Sequence, residues 1–215
     1  IAGWAALALT TGYLAWGYGQ SQLAARLATE QLRAEGFDPV RVRAQPSMLL
    51  WMWRIVARDE RGDLRVGALS TWHPTPIAFQ SVDRPDHPLV DRALASERGQ
   101  IFSWFADGMV GVHIERLDTS TRVVMADQRY GLVTNPTQTF WGAVAEFDQG
   151  GHLVGVDRFS SRPTREMGAA LAATWKMMWS GVRLERRAGA GGPSSAEGTE
   201  SNNHAISPQQ ARASL

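Results

Sequence analysis

The densest run of potential ligands is DRPDHPLVD (83–91), which holds Asp83, Asp86, His87 and Asp91. Carboxylate oxygens and an imidazole are the donor set of a divalent-cation site. The same residues also suit a polar loop. There Asp86 or His87 caps a helix opening at Pro88, and Asp91 complements the helix dipole. The spacing does not select between these. A second pair, Asp127 and Arg129 in DQRYG (127–131), is two residues apart and shares one face if the segment is a strand. It could orient an anionic or polar ligand, or be a structural ion pair, with Tyr130 on the other face and Gly131 permitting a turn. The five histidines are His73, His87, His113, His152 and His204, with no pair at i, i+4. His113 and His152 fit surface positions. His73, beside Trp72, could reach a cleft but has no recognisable partner base or nucleophile.

Other chemistries are excluded by composition. Cysteine is absent, which removes thiolate zinc sites, iron–sulfur clusters and cysteine nucleophiles. There is no Gly-x-Ser-x-Gly elbow, and Lys176 is the only lysine, so no Ser-x-x-Lys pair exists. The glycine-rich AGAGGPSS (188–195) does not join a strand to a helix and is no phosphate loop. With 22 basic and 21 acidic residues, the net charge of +1 offers no general attraction for nucleic acid. No catalytic set is visible, and the oligomeric state is left open by the sequence.

The elements that must position these residues begin with residues 1–19, IAGWAALALTTGYLAWGYG, which carry no charge. Their length just reaches that of a transmembrane helix, with Trp4, Trp16 and Tyr18 near its ends where rings favour the headgroup layer. A buried core helix and a signal-peptide core are the alternatives. Residues 20–36 continue as an amphipathic connecting helix, with Leu23, Leu27 and Leu32 to one side and Gly36 as the stop. Because the chain starts at Ile1 within an apolar run, residues 1–19 are expected to be the last span of a larger membrane domain.

Residues 37–187 are expected to form an extramembrane α+β domain, an antiparallel sheet built from hairpins with flanking helices. VRVRA (40–44) alternates as a strand. Residues 48–59 and 64–71 read as one hairpin, with Trp51, Trp53, Ile55 and Ala57 on one face of its first strand. On the other face Leu50, Met52 and Val56 are interrupted by Arg54 and Arg58, so that strand is expected to be central. Residues 72–88 read as a proline-rich loop, 88–99 and 100–108 as two short helices, and 110–117 with 122–131 as a second hairpin. Residues 140–148 with 152–160 read as a third hairpin, and Pro163–Gly181 as a final helix. The segment 188–215 lacks large apolar residues and is expected to be a disordered tail. Nine tryptophans could line an aromatic groove or simply pack the core. Arg183, Arg186 and Arg187 could touch anionic lipid or cap a solvated helix end.

The order of patterns carries a resemblance: YLAWGYGQ closing an apolar helix, Gly36-Phe37 closing an amphipathic one, a proline before a Trp-rich strand (Pro46 to Trp53), DQRYG, and MMWSG (177–181) closing the final helix. Over residues 1 to 182 the chain resembles the carboxy-terminal half of a bacterial inner-membrane family of metal-dependent hydrolases. The resemblance implies a divalent metal in the full-length protein, held by His and Asp residues of an upstream membrane domain that include a His-x-Gly-x-Thr-His stretch. That stretch does not occur here, so the metal-dependent hydrolase chemistry is expected outside this segment. The implied partners are the lipid bilayer and that upstream domain. Arg26, Arg33, Arg41 and Arg43 after the apolar helix lean towards a cytoplasmic side. The rival from another class is a non-enzymatic, membrane-anchored binding module; a soluble enzyme with a novel site has the least support.

Overall fold

The computed structural model describes residues 2–47, 51–133, 135, 138–160, 168 and 172–176. The chain divides into two units, Ile1–Leu184 and Glu185–Leu215, and every described residue belongs to the first. The expected tail at 188–215 lies outside the described residues. So does the expected helix Pro163–Gly181, apart from 168 and 172–176, which are helical.

The fold is α+β with antiparallel pairing throughout, but the strands form two four-stranded sheets rather than one. The first has β1 (Arg41–Pro46), β2 (Met52–Arg58), β3 (Leu64–Ser70) and β4 (Gln80–Val82) in that order. Strand β4 sits inside the stretch expected to be loop. Its three residues pair with Leu64, Arg65 and Val66 of β3, a register that the surrounding prolines hid. The second sheet is β5 (Val110–Arg116), β6 (Ser120–Asp127), β7 (Trp141–Asp148) and β8 (Leu153–Ser160), a meander of two hairpins.

Alternation decides what each face does. On the first sheet, Val42, Ala44, Trp53 and Ile55 pack against Ala24, Leu27 and Ala28 of the long helix α1 (Ala2–Ala34). The opposite face of β1 and β2 presents Arg41, Arg43, Arg54 and Arg58, because Arg41 pairs with Arg58 and Arg43 with Val56 across the ladder. Strand β2 is buried along almost its whole length, as a central strand should be. On the second sheet, Val112, Val123, Met125, Ala143, Ala145, Phe147 and Val156 form a core with Val90, Ala93 and Phe102 of α2 (Pro88–Ala95) and α3 (Glu97–Phe105).

The helix boundaries differ from expectation between α2 and α3, while the continuous course of α1 and its stop at Gly36 agree with it. α2 ends before Gly99, because Ser96 caps α3: its hydroxyl accepts from the Gly99 N–H at 3.1 Å. Gly99 thus lies in the first turn of α3, where any Cβ would collide with the Ala93 carbonyl. α1 runs unbroken through residues 19 and 20, and its stop at Gly36 uses a positive φ of 80° that suits glycine.

The larger correction concerns the apolar opening. It is helical, yet among the described residues no helix is long and apolar enough to cross a membrane. Glycines, two threonines and the polar tips of Trp and Tyr dilute its apolar character. Its surroundings are nonetheless unusual. Residues 3–16 are all exposed, including Trp4, Leu7, Leu9 and Leu14, whereas Ala24, Ala28 and Leu32 on the same helix are fully buried.

Phe147 is fully buried at the centre of the second core. Phe147→Ala is expected to cost about 3–5 kcal/mol. Trp104→Ala, at a site 82% exposed, is expected to stay within about 0.5 kcal/mol of the parent. Chemical denaturation of the two variants side by side checks both.

Candidate functional site

The four residues of the 83–91 run do not converge. Asp83 pairs with Arg65 at 3.1 Å, and Asp91 with Arg84 at 2.6 Å. His87 caps α2, its Nδ1 accepting from the Leu89 N–H at 3.2 Å. Among the described residues no three His, Asp or Glu side chains stand where they could hold one metal ion. Asp83, Asp86, His87 and Asp91 are therefore not gathered into a local divalent-ion site.

Asp127 and Arg129 do come together. Asp127 ends β6 and is fully buried; Arg129 lies in the turn beyond it. The guanidinium donates to both carboxylate oxygens, at 3.0 and 2.7 Å, and the Arg129 backbone N–H donates to Oδ1 at 3.0 Å. A bidentate, charge-assisted pair of this kind is strong and geometrically specific. The bond to Asp127 holds the Arg129 guanidinium above its ordinary pKa. Trp141 Nε1 donates to Asp127 Oδ2 at 3.3 Å, while Tyr130 packs on the Trp141 ring at 4.9 Å. With both carboxylate oxygens occupied, Asp127 has little capacity left for a ligand.

A buried arginine that the sequence marked only as an interruption joins this cluster. Arg54 is 2% exposed. Its Nε donates to the Gln128 carbonyl at 2.8 Å and its Nη1 to the Leu132 carbonyl at 2.9 Å. Burial pushes its pKa down to about 10, with the Asp127 charge pulling the other way, so the guanidinium stays charged at neutral pH. Gly131 lies flat on that guanidinium, where a Cβ would also strike the Gln138 carbonyl. Beside it, Arg41 and Arg43 both bond the Asp107 carboxylate, Arg43 at 2.6 Å. Asp107 holds a left-handed φ of 53° at the turn after α3. Burial opposes its ionisation, but the Arg43 hydrogen bond and the charges of Arg43, Arg41 and Arg129 hold its pKa below the ordinary value.

One feature with room for a ligand is a cleft of about 660 Å3 over the face of the second sheet that turns away from α2 and α3. The register stacks its lining in rows across the strands. Gly111, Ala126, Gly142 and Phe159 form one row; His113, Val124, Val144 and Asp157 the next; Glu115, Arg122 and Glu146 the third. Ser81, Val82 and Asp83 of β4 and the loop after it contribute a wall. Period-two alternation places these residues on one face once the strands are paired. The pairing itself is the step that a single sequence does not supply.

Arg54→Met should orphan two buried carbonyls and cost about 2–5 kcal/mol, read from the denaturation midpoint. Asp107 should leave its mark on the acid limb. Its folded pKa is lowered, so its contribution is present above the ordinary carboxylate value and is lost as pH falls through the folded one. The melting temperature of Asp107→Asn is therefore expected to fall less steeply than that of the parent between about pH 5 and pH 2.

No protein-family model, curated protein or solved structure matches the chain.

Proposed function

We propose that this chain is a membrane-anchored, non-catalytic domain, the extramembrane portion of a metal-dependent hydrolase of the inner-membrane kind that its sequence resembles. The observation that carries the anchoring is the split character of α1. Its second half is sealed against β1 and β2, while its first half leaves Trp4, Leu7, Leu9 and Leu14 exposed. A contiguous apolar surface of that kind marks a membrane or partner contact. A lipid bilayer fits this surface, because the exposed half ends in an aromatic row. Trp16 meets Trp51 at 6.0 Å, Trp51 meets Trp72 at 5.5 Å, and Trp72 meets His73 at 6.4 Å. Amphipathic rings gathered at one level suit the headgroup layer.

In this reading the metal chemistry belongs to residues outside the chain, and the two-sheet body stands beside the membrane site to present or screen substrate. The binding-module alternative keeps the same anchor without the chemistry. The cleft on the second sheet favours it, since a binding function needs no catalytic set.

The full chain reconstituted into phosphatidylcholine vesicles with brominated acyl chains tests the anchor. Tryptophan emission is expected to fall, and Leu7→Glu with Leu14→Glu should abolish both the quenching and co-flotation with the vesicles. Unquenched emission and a chain left in the aqueous fraction would contradict it.

A further inference from the structure

We infer that the free edge of β1 is a docking site for an extended peptide segment that alternates apolar and acidic residues, added to the first sheet as a further strand. This inference rests on β1 and its surroundings and does not depend on the membrane anchor. Strand β1 ends its sheet and pairs with β2 on one side only. The Ser47 N–H donates to the Met52 carbonyl at 2.8 Å, and the ladder keeps that register through Gln45–Arg54, Arg43–Val56 and Arg41–Arg58. In an antiparallel ladder alternate residues turn their backbone groups to the partner, so those of Val42 and Ala44 turn away from β2. The Ala44 carbonyl agrees with this direction, since it accepts from the Ser21 hydroxyl of α1 at 3.1 Å. The Val42 N–H, the Val42 carbonyl and the Ala44 N–H have no partner among the described residues. Such a row of open donors and acceptors is a template for one more strand. Pro46, which has no N–H to give, bounds the pairing at its far end.

A groove runs along that edge. It encloses about 590 Å3 between β1 and α1, walled by Leu14, Trp16 and Tyr18 of the helix and by Trp53 of β2. Val42 and Ala44 face this side, towards α1. Residues of an added strand that stand directly opposite them share the same face, and so project into apolar and aromatic walls. An acyl chain would fill the groove but leave the three backbone groups covered and unbonded. An extended peptide satisfies walls and edge together.

The opposite face of β1 sets the charge. Arg41 and Arg43 alternate with Val42 and Ala44, and each keeps nearly half of its side chain exposed. Both guanidinium groups bond one carboxylate, that of Asp107, so positive charge remains in excess. Asp or Glu is therefore favoured where the added strand stands opposite them. The same arginines disfavour a second copy of this chain as the occupant. Two β1 strands paired edge to edge in antiparallel fashion would set Arg43 of one against Arg41 or Arg43 of the other.

The full chain, mixed with phosphatidylcholine nanodiscs, is titrated with an acetylated, amidated Thr-Val-Glu-Val-Glu-Thr peptide while amide hydrogen exchange is followed. Saturable binding is expected to slow exchange of the Val42 and Ala44 amides about tenfold or more. The Arg43 and Gln45 amides, already turned to β2, should change little. The peptide N-methylated at both valines, and one with lysine in place of glutamate, are each expected to bind about tenfold or more weakly. Ala44→Pro removes an outward N–H at an edge position where proline is tolerated, and should weaken binding by a similar factor. N-methylation tests the same bonds without altering the protein, so a poorly folded variant does not decide the outcome. Exchange is read whether or not the chain co-elutes with the discs, which separates failure of this site from failure of the anchor. No saturable binding, protection of Val42 and Ala44 by the discs alone, or binding that N-methylation leaves unchanged would overturn the assignment.

Discussion

The two sheets are joined through an arginine. Arg54 leaves the inner face of β2, reaches across to the segment beyond β6, and satisfies the carbonyls of Gln128 and Leu132 with one rigid guanidinium. A buried charge without partners would be intolerable, so its burial requires the two carbonyls and the nearby Asp127 to be where they are. The same contact fixes the backbone of Gln128, one of the residues that line the cleft. Around it the inner face of β1 and β2 is arginine-rich rather than apolar, with Arg41 and Arg43 on Asp107 and Arg58 against Gly108. A small apolar cluster of Val56, Leu64, Val66 and Met109 is the dry portion of this seam. Polar bonds of fixed geometry thus do here what hydrophobic packing does within each sheet, and they set orientation as well as stability.

This arrangement accounts for what the sequence revealed and what it concealed. The hairpins β2/β3, β5/β6 and β7/β8 were legible because alternation and turn residues are local signals, although β6 ends at Asp127 rather than running to 131. Their division into two sheets was not, since strand partners across a long connection leave no local trace. Strand β4 was hidden for the same reason: three residues among prolines gain strand geometry only from the ladder of β3. Arg54 and Arg58 were visible as breaks in an apolar face, the correct clue to a buried polar seam, but their partners lie more than 70 residues away for Arg54. The Asp83, Asp86, His87 and Asp91 run shows the opposite failing. Proximity in sequence suggested a shared ion, whereas in space each of Asp83, His87 and Asp91 serves a separate local bond.

α1 has two halves of different character. A helix sealed on one half and bare on the other is a lever with a defined fulcrum, and the Trp16–Trp51–Trp72 row stands at the point of change. Among the described residues no helix is long and apolar enough to cross a membrane, and the exposed half of α1 carries aromatic rings as well as aliphatic side chains. The Arg54 joint couples the sheet on which α1 packs to the sheet that carries the cleft.

Amide hydrogen exchange in Arg54→Lys tests that joint most directly. Lysine keeps the charge but lacks the planar fork that bonds two carbonyls at once. Protection should fall selectively across residues 127–132 and at Thr139, with β3 and the α1–β1 packing little changed. If protection is lost only within β2, or uniformly across the whole body, Arg54 is not the element on which the union of the two sheets depends.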